Sequence, residues 1–351
     1  MVEQKSYTHY VKYAQYVAQA GFVSTTLFGS ILIYLTMFAV SRNFGRYKYL
    51  LILFPSFGIF FATLELVLYP NVYSHNAAYI FYSTHRPFNL SKDTVTWLLA
   101  FYAGVYASTV SILAVQFLYR YWAIFRTTRL RFFKGFRFFF WILYSFFFGI
   151  LYATGLYYFE RIDEFVKVYL GADMMLKYSI DFSEIAGMAL VAYNPDGSVR
   201  WWNVCCTINI TSVLLTQYTI VLYCAIRMYI EMEAKLELVS ASLRTLHKQF
   251  FKTLVLQIVC PTITLFFPVM LIVYLPLLNL EVDVPTGIFL CAFTLYPAMD
   301  SMIVMYIVKD YRKAASSVLK KWMDKLCSCA RNSEQTTTTG DGVGTAMAVL
   351  G

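Results

Sequence analysis

Seven apolar stretches, each long enough to cross a lipid bilayer, limit what this chain can fold into. A membrane helix needs about 20 consecutive apolar residues. Backbone N–H and C=O groups in lipid must pair within their own segment, so we predict helices rather than open strands. The expected fold is an all-α membrane protein, a seven-transmembrane-helix bundle. Its spans cover roughly residues 17–40, 49–69, 95–118, 138–159, 204–226, 253–277 and 286–308.

The composition supports a membrane protein over a soluble one. Of 351 residues, 59% are hydrophobic and 14% are charged, whereas soluble domains carry about 25% charged residues. The net charge of +9 would suggest nucleic acid in a soluble chain. Here the basic residues lie between apolar stretches, so the membrane is the expected partner and nucleic acid is not.

The distribution of Lys and Arg predicts the orientation. Most of the 29 basic residues lie in the 1–2, 3–4 and 5–6 loops and in the tail. The positive-inside rule places these regions in the cytoplasm and residues 1–16 outside the cell. Asn89-Leu90-Ser91, in the 2–3 loop, is an N-glycosylation acceptor on the predicted outer side.

The tail reads as a membrane-surface helix followed by a polar segment. Apolar residues recur at helical spacing through 309–326, with Trp322 among them and Lys or Arg between, which predicts a juxtamembrane amphipathic helix. Cys327 and Cys329 follow. Either they carry palmitoyl groups, as candidate lipidation sites, or they are unmodified. Residues 327–351 have the polar composition of a disordered cytoplasmic tail.

No pattern of catalytic or metal-binding residues stands out. The four His residues have no metal-ligand spacing on a helix, and no serine occupies a nucleophile elbow. The paired broken helices of a transporter are also missing from the pattern. We therefore expect a receptor rather than an enzyme, with no cofactor and no metal.

Two acids fall inside the spans, at different depths. Asp300 lies about 12 Å from the inner end of the seventh segment, and Glu65 about 24 Å from the inner end of the second, near the outer face. Ionisable groups in membrane helices mark functional sites by default. Asp300 is either part of a bistable element with Pro297 or a structural carboxylate. Glu65 either contacts a ligand or reaches water.

The inner end of the third segment carries a second candidate. Gln116 and Arg120 are four residues apart and share a helix face. Arg120 either pairs with another helix in one state and releases it in another, or it simply extends to the cytoplasmic interface. The sequence leaves both alternatives open.

Aromatic residues concentrate at the predicted outer ends of the helices. An interfacial belt explains many of them, and the others are candidates to line an apolar pocket for a small volatile or lipid-like ligand. The candidate ligand-binding residues are Glu65, Trp97, Phe101, Tyr102, Tyr106, Tyr157 and Tyr274.

Several short motifs, taken together in order, resemble a known family. They are Phe44-Gly45-Arg46-Tyr47-Lys48-Tyr49-Leu50, Gln116-Phe117-Leu118-Tyr119-Arg120-Tyr121, Pro261-Thr262, Tyr296-Pro297-Ala298-Met299-Asp300 and Lys309-Asp310-Tyr311-Arg312. Over about residues 17–313 the chain resembles the nematode seven-transmembrane G-protein-coupled chemoreceptors of the Str superfamily, of Str/Srj type. Two departures stand out: Ser301 replaces the proline usual after the helix-seven aspartate, and no cysteine at the top of the third segment can form the outer disulfide of rhodopsin-like receptors.

The resemblance implies a chemosensory receptor in the ciliary or plasma membrane of sensory neurons. It implies a role in the sense of smell, with an odorant or pheromone-like small-molecule ligand and a heterotrimeric G protein as partners; association into receptor oligomers stays open. It also places an activation site at the cytoplasmic end, for which the candidates are Gln116, Tyr119, Arg120, Tyr121, Pro297, Asp300 and Tyr306. The alternatives are a seven-helix subunit of a ligand-gated cation channel and a receptor-like protein that acts only in trafficking.

Overall fold

The computed structural model describes residues 7–40, 47–236, 255–280, 283–284, 286–318 and 320. Within them, seven apolar helices form one bundle. Six are long enough to span a bilayer unbroken, and the seventh, residues 287–307, is divided into three segments. The bundle helices are α1 (Thr8–Tyr34), α2 (Tyr47–Leu68), α3 (Lys92–Phe125), α4 (Arg137–Phe159), α6 (Trp201–Leu236), α7 (Val255–Leu278) and α8 (287–307).

Helix α3 lies at the centre of the bundle. Every residue from Tyr102 to Phe117 is buried, because α2, α4 and α6 pack around it. The helix begins three residues before the predicted span, at Lys92, where the Ser91 hydroxyl accepts a hydrogen bond from the Thr94 N–H at 3.2 Å. Such an N-cap satisfies one of the unpaired N–H groups of the first turn.

The last two bundle helices are irregular, and their prolines explain where. In α7 a π-helical turn, Thr262–Phe266, lies between Pro261 and Pro268. Helix α8 consists of Gly287–Cys291, a 3-10 turn at Ala292–Thr294 and Leu295–Ile307. Pro297 is the third residue of that last segment, where its missing N–H costs no hydrogen bond. The irregularity in α8 therefore precedes Pro297 instead of centring on it.

A four-stranded antiparallel sheet covers one end of the bundle, and the sequence analysis did not predict it. Its order is β3-β2-β1-β4, formed by β1 (Asn71–His75), β2 (Ala78–Ser83), β3 (Ala186–Val191) and β4 (Asp283–Val284). The strands come from the 2–3, 4–5 and 6–7 loops. The sheet therefore ties three loops together at what we term the sheet end; the opposite end, which contains Arg120, is the arginine end.

The two faces of the sheet alternate, as the period of a strand requires. Val72, Tyr79 and Phe81 pack against the bundle. Tyr73, Ile80 and Tyr82 pack on the other side against α5 (Glu164–Tyr178), a helix within the long 4–5 loop. Two polar contacts fasten α5 to the sheet: His75 Nε2 lies 2.7 Å from Asp173 Oδ2, and Lys177 donates a hydrogen bond to the Tyr73 hydroxyl at 3.0 Å. The long loop is thus a folded cover.

Part of the predicted tail helix is described. Residues 309–318 are helical and form α9. Tyr311 is buried against α1 and its hydroxyl lies 2.9 Å from the Thr36 hydroxyl. Cys327, Cys329, the predicted tail 327–351 and most of residues 319–326 lie outside the described residues.

Helices α3 and α4 approach closely because both carry small residues at their crossing. A Cβ atom on Gly149 would lie 2.7 Å from the backbone oxygen of Gly104 and 2.0 Å from the Ser108 hydroxyl oxygen. Small residues at such contacts let the backbones of membrane helices meet.

We expect Gly149→Ala to lower the thermal-unfolding midpoint of the purified protein, because the added methyl meets a backbone oxygen that cannot move aside. Overpacking of this kind costs about 1–3 kcal/mol. Gly171→Ala is the matched control: a Cβ there has its nearest neighbour at 4.0 Å. Since alanine is the better helix former by about 1 kcal/mol, Gly171→Ala should be neutral or stabilising. Equal shifts in the two variants would contradict the close packing.

Candidate functional site

An apolar cavity of about 60 Å³ lies at the sheet end. Its walls come from α3, α4, α6, α7 and α8, and the inner face of the sheet forms one further side. An engineered apolar cavity of about 150 Å³ holds benzene, so this one admits only a few heavy atoms as it stands. The lining residues are Val72, Tyr79, Phe81, Tyr102, Ala103, Tyr106, Tyr152, Leu156, Ile210, Val269, Ile272, Val273, Leu290 and Phe293.

Tyr106 joins the cavity to the irregular part of α7. Its ring stacks on Phe293 of α8 with centroids 5.1 Å apart. Its hydroxyl donates to the Leu265 carbonyl oxygen at 3.0 Å, inside the π-helical turn. One cavity-lining side chain therefore contacts the segments of α7 and α8 that depart from regular helix.

Glu65 lies behind the cavity wall and does not reach water, contrary to one of the two alternatives for it. The side chain is fully buried, and the hydroxyl of the cavity-lining Tyr102 donates to its Oε2 at 2.6 Å. Tyr102 in turn stacks on Phe61, with centroids 4.7 Å apart. Glu65 thus orients a lining residue instead of lining the cavity itself.

Of the seven candidate ligand-binding residues, only Tyr102 and Tyr106 line the cavity. The other four besides Glu65 lie elsewhere. Trp97 and Phe101 stack on each other on the outside of the bundle. Tyr274 is part-exposed and bonds to the Thr211 hydroxyl at 2.9 Å. Tyr157 lines a separate, solvent-open recess with Arg161. These predictions were wrong because a helix that is apolar all round carries no sequence signal for which of its faces points into the bundle.

The sequence analysis missed the contribution of the sheet. Val72, Tyr79 and Phe81 reach the cavity only because the strands fold back over it. One local signal was present: aromatic and β-branched residues occupy 72–73 and 79–82, with Asn76 between them. In the structure Asn76 has the positive φ of 47° that suits a tight hairpin turn.

The arginine end contains a second polar cluster, formed by Tyr47, Arg120, Gln257 and Asp300 and termed here the arginine cluster. Arg120 Nε donates to the Tyr47 hydroxyl at 2.5 Å, and Nη1 donates to Oε1 of Gln257. The guanidinium also lies over the Tyr47 ring, 5.3 Å from its centroid. Arg120 therefore faces the bundle interior and joins α2, α3 and α7.

Gln257 connects Arg120 to Asp300. Its Nε2 donates to Asp300 Oδ1 at 2.9 Å while its Oε1 accepts from Arg120. Both Gln257 and Asp300 are buried. The sequence analysis put Arg120 and Asp300 in one candidate activation site but missed the Gln257 amide between them. The sequence did carry a signal for this residue: Gln257 is a single glutamine within an apolar run, one helical turn before Pro261.

The other candidates at this end divide into three inward residues and one that points away. Gln116 donates to the Leu50 carbonyl at 3.1 Å, and Tyr119 stacks on Tyr47. The Tyr121 hydroxyl donates to Glu231 of α6 at 3.1 Å. Tyr306, by contrast, is 74% exposed on α8, so it makes none of these inward contacts and its role in activation stays a prediction.

Pro297 and Ser301 complete the local picture around Asp300. A Cβ on Gly58 of α2 would lie 2.4 Å from Pro297 Cβ, so the ring packs where α2 has no side chain. Ser301 stands where the family that the sequence resembles usually has a proline. Its hydroxyl donates a hydrogen bond to the Pro297 carbonyl oxygen at 2.8 Å. Asp300 is thus carried on a turn whose neighbours are closely packed.

The family model of the serpentine type 7TM GPCR chemoreceptors, Str, matches residues 14–316. The chain belongs to the Str family. This Str receptor is similar to G-protein coupled receptor str-33 of Caenorhabditis elegans, with 34% identity over 308 residues, 86% of this chain and 89% of the relative. It is also similar to serpentine receptor class r-10 of the same species, with 28% identity over 284 residues, 79% of this chain and 83% of the relative.

Family membership confirms the resemblance drawn from the motifs and the seven-helix fold. The Str receptor is a multi-pass membrane protein and a chemoreceptor of the G-protein-coupled class, not an enzyme. The cavity and the arginine cluster are accordingly its two candidate sites, and α3, α7 and α8 contribute residues to both.

We expect Gln257→Leu to lower the thermal-unfolding midpoint of the purified Str receptor. The substitution takes the Gln257 donor from buried Asp300 and the Gln257 acceptor from Arg120, and an unsatisfied buried polar group costs about 1–3 kcal/mol. Asp300→Leu should have an effect of similar size. The double variant should lose less than the sum of the two, since the residues share one network.

Gln19→Leu, at an exposed position of α1, controls for the change from amide to hydrocarbon. Additive losses in the double variant, or a loss for Gln19→Leu equal to that for Gln257→Leu, would contradict the connection between Gln257 and Asp300.

Proposed function

We propose that this Str receptor detects a small apolar or volatile molecule in the cavity and signals to a heterotrimeric G protein at the arginine end. The observation that carries the proposal is the course of α7. It lines the cavity with Val269, Ile272 and Val273, and about three to four turns away it holds Arg120 through Gln257. A displacement of one helix can therefore reach both sites.

The small size of the cavity links ligand binding to movement of a helix. A ligand of more than a few heavy atoms does not fit within about 60 Å³, so it binds only if a wall moves. The wall with the weakest internal support is α7, since Pro261 and Pro268 each lack a backbone N–H and π-helical turns are less regular. Ligand binding then favours the state in which α7 has shifted.

Loss of the Gln257 contact is the expected consequence at the arginine end. When α7 shifts, Arg120 exchanges its Gln257 acceptor for another partner, and the bonds of Asp300 and Tyr47 rearrange with it. Arg126, Arg129 and Arg131 lie close by, on or beside the 3-10 turn Thr127–Phe133. They supply the positive charge that suits a cytoplasmic partner surface.

We infer that the sheet end lies outside the cell and the arginine end in the cytoplasm. The distribution of Lys and Arg supports that orientation. For a receptor of environmental chemicals, the ciliary or plasma membrane of a sensory neuron is the location that would expose the sheet end to the ligand.

Signalling by the full-length receptor tests the proposal. In cells that express a promiscuous G protein, a panel of small volatile compounds should evoke a calcium response. Arg120→Ala should reduce the response by about tenfold or more, on the premise that about 1.4 kcal/mol of coupling is lost, while surface expression is retained. Arg86→Ala, an exposed arginine at the sheet end, should respond like the wild type.

Removal of the G protein should abolish the response. A response that survives both this removal and Arg120→Ala would overturn the proposal.

The orientation yields its own prediction. Asn89 is exposed, in the short turn Pro87–Asn89 at the sheet end, where a glycan would meet no packed surface. Expression in animal cells should give a species whose gel mobility rises on glycosidase treatment, and Asn89→Gln should remove that species. Glycosylation of an acceptor inserted between α6 and α7 instead would place the arginine end outside and contradict the orientation.

A further inference from the structure

Glu160 continues the cavity-lining face of α4. Tyr152 and Leu156 of this helix line the cavity, and Glu160 follows Leu156 by one helical turn on the same face. The residue comes directly after the last residue of α4, Phe159, and is fully buried. It is not itself among the lining residues: it lies directly behind the lining Tyr79, where the bundle meets the sheet.

The partners of Glu160 leave its carboxyl group incompletely satisfied. The hydroxyl of Tyr79, which itself lines the cavity, donates to Oε1. Oε2 is buried and receives no hydrogen bond of good geometry from the described residues. The Cys206 thiol lies close enough to contribute a weak donor. Buried carboxyl oxygens are normally well bonded, so one that has at most a weak thiol donor can gain from a further partner.

No basic side chain in the described part of the chain forms an ion pair with Glu160. Its neighbour Arg161 directs its guanidinium over the rings of Tyr157 and Tyr158, 5.8 and 5.7 Å from their centroids. The groups that face the carboxyl group are Tyr79 from β2, Tyr152 from α4 and Cys206 from α6. All are neutral, so the charge of an ionised Glu160 has no counter-charge among them.

Burial has a measurable consequence for this group. It raises the pKa of Glu160 to about 7, although the donors Tyr79 and Cys206 act in the opposite direction. The same burial raises the pKa of Tyr79 well above its usual value, so Tyr79 remains a donor. Glu160 is thus poised to lose its proton when a positive group approaches.

We propose that Glu160 is the polar recognition group of this site and that it selects small aliphatic amines: the Tyr79 side chain moves aside, the ammonium group takes its place at the carboxylate, and the alkyl chain lies in the apolar cavity. The inference rests on the proposed function, because it names the ligand class of the same site. The small volume favours a chain of a few carbons. The weakly bonded carboxylate oxygen and the missing counter-charge favour a cation over a neutral molecule of the same shape.

Ligand binding to the purified full-length receptor in nanodiscs tests the inference without requiring signalling. Butylamine should raise the thermal-unfolding midpoint by roughly 2–4 °C or more at saturation. Butan-1-ol, which has the same chain and a neutral head group, should raise it far less. Glu160→Gln should abolish the difference between the two compounds, whereas Glu184→Gln, at an exposed position of the same loop, should preserve it.

The wild-type protein provides a second readout that does not depend on the variant folding. The amine carries its charge throughout this range, so only Glu160 changes protonation. Below the pKa, binding must first release its proton, and the half-saturating amine concentration should rise by up to about tenfold for each pH unit below 7. Between about pH 8 and pH 9 it should change little.

Three outcomes would overturn the inference: equal stabilisation by the amine and the alcohol, an amine effect retained in Glu160→Gln, or an amine affinity independent of pH. Each leaves the proposed function standing if volatile compounds still evoke G-protein signalling. Conversely, selective amine binding without any signal would count against the proposed function alone.

Discussion

The burial of α3 on all sides is the constraint on which the rest of the bundle depends. A helix surrounded by others cannot leave a polar group unpaired, and its side chains must be small where a neighbour crosses. Thr109 and Ser111 accordingly return their hydroxyls to the carbonyl oxygens of Val105 and Ala107. The larger polar side chains, Tyr102, Tyr106, Gln116 and Arg120, each bond to another helix. Both candidate sites are consequences of how α3 satisfies its own polar groups.

Helix α7 is less regular than α3, as expected of a helix that moves. Its two prolines and the π-helical turn between them weaken its internal hydrogen bonding, and α3 supplies part of the support through Tyr106 and Leu265. With α3 rigid and α7 less regular, α7 can pack against α3 in two ways that exchange side-chain contacts without changing the fold. That is the structural requirement for a ligand to shift a population.

Hydropathy alone predicts the seven helices, because a bilayer leaves the backbone no other solution. Depth counting likewise groups Arg120 with Asp300, since rise per residue is fixed. Rotation is a different matter: α3 is apolar on every face, so Trp97 and Phe101 could not be told from Tyr102 and Tyr106. The sheet was also beyond the sequence, because β2 pairs with β3 more than 100 residues later. From the sequence, Glu160 reads as an acidic loop residue, whereas in the structure it is buried beneath the sheet.

Three buried acids, Glu65, Glu160 and Asp300, share one form of stabilisation. Each accepts a hydrogen bond from a neutral side chain of another element: Tyr102, Tyr79 and Gln257 respectively. Breaking a directly paired buried ion pair costs about 3–5 kcal/mol, which would hold the helices in one arrangement. A hydrogen bond from a tyrosine or an amide has a net value of about 0.5–3 kcal/mol, and water or a ligand can replace it. Acids held by neutral donors therefore fix the resting structure while leaving the bundle able to exchange partners when a ligand binds.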